Sequence, residues 1–128
     1  MNLDEKRESL RLQDAAVAPA QERLSALAQQ PITLEVNWES FAGQAEALRK
    51  FAAFLPTLDQ VFTRICADTL GRQALQEKVK KLTFEQVKDK GVLTDTAAIA
   101  GGSLSFLWDW SRMYIDPARL TKRLSQQL

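Results

Sequence analysis

The chain carries few of the groups that enzymes use. It contains no histidine and one cysteine, Cys66. No histidine-based triad, cysteine–histidine dyad or internal disulfide can therefore be assembled, and ordinary zinc sites lose their main nitrogen ligand. Three carboxylates remain as candidates for proton transfer. Asp95, in "TDT", falls on the apolar side of an extended run, where a carboxylate without a partner would have a raised pKa and could act as an acid or base. The same tripeptide is common turn chemistry, with the aspartate simply solvated. Glu35 and Glu39 lie on the wet side of a strand, and nothing else converges on them. Cys66 occupies the apolar face of a helix with no histidine to activate it, which describes an inert core thiol. There is no phosphate loop and no calcium-type acidic repeat. These residues imply no cofactor and no metal.

The remaining candidates are contact residues. Trp108 and Trp110 stand two apart in "GGSLSFLWDWS", directly after paired glycines, and Met113 and Tyr114 follow closely. Aromatic stripes in small domains usually supply buried area. Aromatics with Met and Arg are also enriched at interface hot spots. Trp108, Trp110, Met113, Tyr114 and Asp95 are thus the candidate interface or ligand contacts. Trp110, near the far end of its strand, is the one expected to be half exposed.

Gly101–Gly102 position these side chains. Two glycines between alternating apolar runs signal a two-residue hairpin turn whose central residues both need positive φ. Such a turn fixes the register: Ala100 faces Ser103, Ile99 faces Leu104, Ala97 faces Phe106, Asp95 faces Trp108 and Leu93 faces Trp110. Leu93, Ala97, Ile99, Leu104, Phe106, Trp108 and Trp110 then share one face.

Upstream, Ile32, Leu34, Val36 and Trp38 alternate with polar residues as a half-buried strand, and "LTFEQV" at 82–87 repeats that period. Leu48, Phe51, Ala52 and Leu55 form one helical face that Pro56 is expected to end. Thr57 with Gln60 would cap a second helix carrying Leu58, Val61, Phe62, Ile65, Cys66 and Leu70 inward, closed by Gly71. A third helix runs from Arg72 to Lys81. Asp116 and Pro117 open a terminal helix lined by Leu120, Leu124 and Leu128.

In the first thirty residues Leu3, Leu10, Val17 and Leu24 recur every seven, but the companion positions Arg7, Asp14 and Gln21 are polar. This is half of a coiled-coil seam. Pro19 divides the run into two helical pieces, about 4–17 and 19–29.

At 128 residues, 45% hydrophobic and 26% charged, the composition is that of an ordinary globular domain. The net charge of +1 argues against nucleic acid as a partner. No apolar run is long enough to span a membrane. The polar N-terminus lacks a secretory pattern, which makes the cytoplasm the expected location. Residues 70–90 hold a local excess of three positive charges, read as a solvated helix face.

The expected architecture is α+β: a helical N-terminal arm over residues 1–30 and one domain over 31–128. A mainly antiparallel sheet of about four strands carries helices on one face, and a short helix ends the chain. The function expected from these features is a non-enzymatic protein-interaction or assembly module, a homodimer or one that binds another protein. A carrier holding a small apolar molecule between sheet and helices is the alternative. An enzyme using Asp95 or Glu35 ranks third.

Overall fold

The computed structural model describes residues 1–89, 97–112 and 116–128. It shows an α+β protein with helices against a four-stranded sheet. Asn2 caps α1 (Leu3–Leu12): its side chain accepts from Glu5 N and the Glu5 carboxylate accepts from Asn2 N, a reciprocal capping box. The other Glu5 oxygen accepts from Gly43 N at 2.6 Å, which ties α1 to the loop leading into α3 (Ala45–Ile65). Bonds from the Gly43 and Asn2 backbone hold the Glu5 carboxyl below its ordinary pKa.

A π-turn, Gln13–Val17, joins α1 to α2 (Ala18–Ala28) without a break. Pro19 sits in the first turn of α2, directly after the π-turn. The π-turn accommodates one residue more than an α-turn, so everything after it is rotated by about 100°. That rotation splits the seven-residue leucine series. Val17 and Leu24 are fully buried, whereas Leu3 and Leu10 remain 61% and 68% exposed.

The expected break at Pro56 is absent, since α3 runs through it. Pro56 lies on the exposed side of the helix. The stripe of Leu48, Phe51, Leu55, Leu58, Phe62 and Ile65 stays buried on both sides of it. Continuous burial of one face outweighs the single lost backbone bond. The helix stops instead at Cys66, and Asp68 caps α4 (Thr69–Lys78), its carboxylate accepting from Gly71 N at 2.6 Å. Gly71 is therefore in the first turn of a helix rather than after the end of one. Its hydrogen lies against the end of α3, where a Cβ would come 2.1 Å from the Ile65 carbonyl oxygen. Leu70, expected inside, is 78% exposed.

The sheet consists of β1 (Thr33–Val36), β2 (Lys81–Gln86), β3 (Ala97–Ala100) and β4 (Ser103–Trp108), in the order β1-β2-β4-β3. It is mixed, not mainly antiparallel. β1 pairs with β2 and β2 with β4 in parallel, and only β3–β4 is antiparallel. The reason lies in the connections. A two-residue turn returns the chain antiparallel, whereas residues 37–80, with α3 and α4, carry it back to start β2 alongside the start of β1. Leu34, Leu82, Phe84, Leu104 and Phe106 face inward, and Thr33, Glu35, Thr83 and Ser105 face out. Trp38 is not part of β1. It begins a 3₁₀ turn, Trp38–Phe41, half-buried and edge-on to Phe51.

Side-chain amides and a hydroxyl close both outer strands. On β1, Leu34 N donates to Gln21 Oε1 and Ile32 N to Ser25 Oγ, both at 2.9 Å. On β3, Ile99 N donates to Gln127 Oε1 at 2.7 Å while Gln127 Nε2 donates to Ala97 O at 2.9 Å. Gln127 follows α5 (Pro117–Ser125), which Asp116 caps through Ala118 N and which buries Leu120 and Leu124. One core cluster extends from Leu12, Val17 and Leu24 through the sheet to Leu124.

Candidate interaction site

The paired glycines do what their type requires. Gly101 and Gly102 have φ of +58° and +82°, and the observed register is Ala97–Phe106, Ala98–Ser105, Ile99–Leu104 and Ala100–Ser103. The expected pairings of Asp95 with Trp108 and Leu93 with Trp110 fall on residues 90–96, outside the described residues. Met113 and Tyr114 lie outside them too.

Trp108 and Trp110 are both fully buried. β4 ends at Trp108, and Trp110 begins a second 3₁₀ turn, Trp110–Arg112, so the expected continuation of the strand through Trp110 does not occur. Ala97 opposite Phe106 leaves room for a ring, and the aromatic layer fills it. Phe84 and Phe106 stack with centroids 5.2 Å apart, and Trp108 and Trp110 meet edge-on at 4.5 Å. Phe51 and Phe54 of α3 close on Trp110 at 5.3 and 5.2 Å. The Trp110 indole N–H donates to Glu85 O at 3.1 Å. Trp108 Nε1 is buried and has no acceptor among the described residues.

Between the two indoles Asp109 turns inward, and only 4% of it is exposed. Its Oδ1 accepts from Gln86 Nε2 at 2.9 Å and from Ser111 N and Oγ at 3.1 and 2.6 Å. Its Oδ2 accepts from Asp89 N at 3.0 Å. Gln86 completes the knot by accepting from Trp110 N at 2.8 Å. Burial would raise the Asp109 pKa. The bonds from Gln86, Ser111 and the Asp89 backbone outweigh it and hold the carboxyl at about 2. The group is a fixed anion that anchors the end of β4 under Trp110, and it has no proton to exchange near neutrality. Strict alternation along β4 would turn Asp109 outward, and nothing in the local pattern signals that the chain bends there.

The other sequence candidates do not converge. Glu35 pairs with Lys81 at 3.4 Å on the open face, and Glu39 is exposed. Burial pushes the Cys66 thiol up, against a smaller opposing effect from Arg72, so little thiolate exists at neutral pH. Among the described residues no group of three or more Cys, Asp or Glu could hold a metal ion, and no helix is long and apolar enough to cross a membrane.

Among the described residues the exposed large apolar side chains are Leu3, Leu10 and Leu70. Leu3 and Leu10 lie two turns apart on the outer side of α1, about 10 Å from each other at 1.5 Å per residue. Arg7 lies between them, and Asp14, Ala15 and Ala18 continue the exposed side through the π-turn. Set against family models, curated protein sequences and solved structures, the chain matches none of them.

Proposed function

We propose that this protein is a non-enzymatic interaction module and that it docks another polypeptide on the outer side of α1. The observation that carries the reading is the exposure of Leu3 and Leu10, 61% and 68%, in line on a helix that is firmly capped and joined to the core. A free helix end could leave leucines in water by fraying; a capped one tied to Gly43 holds them in a fixed pattern. The fixed charge of Asp109 and the separate settings of Glu35, Glu39 and Cys66 further favour binding over catalysis. A carrier would need space around Trp108 and Trp110, and Phe51, Phe54, Phe84 and Phe106 occupy it. That packing favours the interaction reading over a ligand between sheet and helices. Cytoplasmic residence belongs to the same proposal.

The test is the size of the native species. Either purified at high concentration or in native extract, the wild-type chain should form a species heavier than the 14.4 kDa of one chain. A Leu3→Asp, Leu10→Asp variant, with unchanged circular dichroism, should migrate at 14.4 kDa. A wild-type chain that is monomeric both purified and in extract would overturn the reading.

A further inference from the structure

We infer that the partner seated on α1 is a second copy of this chain, its α1 running antiparallel about a two-fold axis beside Leu10. The inference rests on the interaction reading and adds the partner and the register. It comes from how charge is distributed along the exposed side. Arg7 lies on this side between Leu3 and Leu10, flanked by Lys6 and Asp4, and Asp14 follows Leu10, all exposed. Within one chain Arg11 is taken by Glu8 at 2.5 Å, Arg7 reaches only a fully wet Asp4 at 3.6 Å, and Lys6 and Asp14 have no ion pair among the described residues. Two parallel copies would oppose Arg7 to Arg7. An antiparallel pair centred beside Leu10 sets Arg7 against the partner's Asp14 and Asp14 against the partner's Arg7, with the two Leu10 side chains meeting between these ion pairs.

The same register places Leu3 over the partner's Ala18, a large side chain over a small exposed one. The π-turn makes this possible. It rotates Val17 into the core and leaves Ala18, like Asp14, on the exposed side that carries the two leucines. Antiparallel helices also bring opposite dipole ends together. Residues 3–18 span about 24 Å at 1.5 Å per residue. One such helix pair is smaller than a standard interface of roughly 1,600 Å², so the dimer is weak and forms reversibly.

Sedimentation equilibrium of the purified full chain, from roughly 10 to 500 µM to cover the weak range, tests this. The weight-average mass should climb toward twice 14.4 kDa and fall back in high salt. Arg7→Asp and Asp14→Arg should each weaken self-association at least about tenfold by opposing like charges. An equimolar mixture of the two variants should associate as the wild type does, because each then supplies the charge the other lacks. The double variant Arg7→Asp, Asp14→Arg should also regain association within one chain. Leu10→Ser, which leaves every charge in place, should be monomeric. A purified wild type that stays monomeric throughout, while the heavier complex persists in extract, overturns this inference and leaves the interaction reading standing. A dimer indifferent to Arg7, Asp14 and Leu10 places the contact elsewhere and overturns it as well.

Discussion

Replacing Asp109 by Asn tests whether the end of β4 is held by a buried anion. The folded-state pKa is about 2 against an ordinary 3.8. At about 1.36 kcal/mol per unit, that depression corresponds to roughly 2 kcal/mol of stability. The sign follows from proton binding. The unfolded chain takes up the proton at higher pH than the folded chain does. The contribution is thus complete above the ordinary carboxylate range and disappears as pH falls from about 4 to about 2. Asparagine removes the charge and also misplaces a donor. With its oxygen toward Gln86 and Ser111, its amide nitrogen faces Asp89 N–H, donor against donor, and one buried donor left unpaired costs about 1–3 kcal/mol. The expected loss near pH 7 is therefore roughly 3–5 kcal/mol, a fall in Tm on the order of 10–20 °C for a chain of this size. Urea and thermal melts of both proteins, followed by tryptophan fluorescence between about pH 7 and pH 2.5, give the difference that isolates Asp109, because the other carboxylates titrate alike in the two. The gap should shrink as pH drops through about 3. A variant within about 2 °C of wild type at neutral pH, or a gap that does not narrow toward about pH 2.5, would refute the reasoning.

Other consequences are as direct. Gly71→Ala should destabilise strongly, by roughly 2 kcal/mol or more in denaturant melts, because backbone rather than a flexible side chain blocks the new methyl at 2.1 Å. Gln127→Ala should free Ile99 N and Ala97 O on the edge of β3, seen as faster amide exchange at Ile99 and a lower aggregation threshold, with little change in the exchange of β1. Pro56→Ala should stabilise by roughly 1–2 kcal/mol, since the ring is exposed and the substitution restores one helical bond, partly offset by a freer unfolded chain.

What was legible in the sequence is what local chemistry determines. Gly101–Gly102 announced their own φ angles, and the angles set the register from Ala97 to Phe106; Asp116–Pro117 announced a helix start. The strands at Ile32–Val36 and Leu82–Phe84 were legible because a half-buried strand must alternate. Parallel pairing was not, because nothing within β1 or β2 records which way the chain returns after residues 37–80. Pro56 misled for a related reason: its cost is local, while the burial that overrides it belongs to a stripe running from Leu48 to Ile65. The three-residue break at Cys66–Asp68 between α3 and α4 then put Leu70 out of phase with the face to which simple periodicity assigns it.

The exposed leucines raise the same issue of phase. A seven-residue recurrence predicts that Leu3, Leu10, Val17 and Leu24 share one fate, all toward a partner or all toward the core. One additional residue in the Gln13–Val17 turn divides them into an inner pair and an outer pair. The division costs the helix one regular turn and leaves two leucines in water, about 10 Å apart in a fixed line. Neither cost helps an isolated chain fold. The inner pair builds the wall of the core against α3, and the outer pair, with Arg7 and Asp14 set among it, has a physical reason to exist once a second surface covers it. The tryptophans make the converse case. By composition Trp108 and Trp110 resembled a contact surface, yet both are packed among phenylalanines and Trp110 is tied through Gln86 to Asp109, so they build the interior, and the leucines left exposed on the first helix come from a half-formed series.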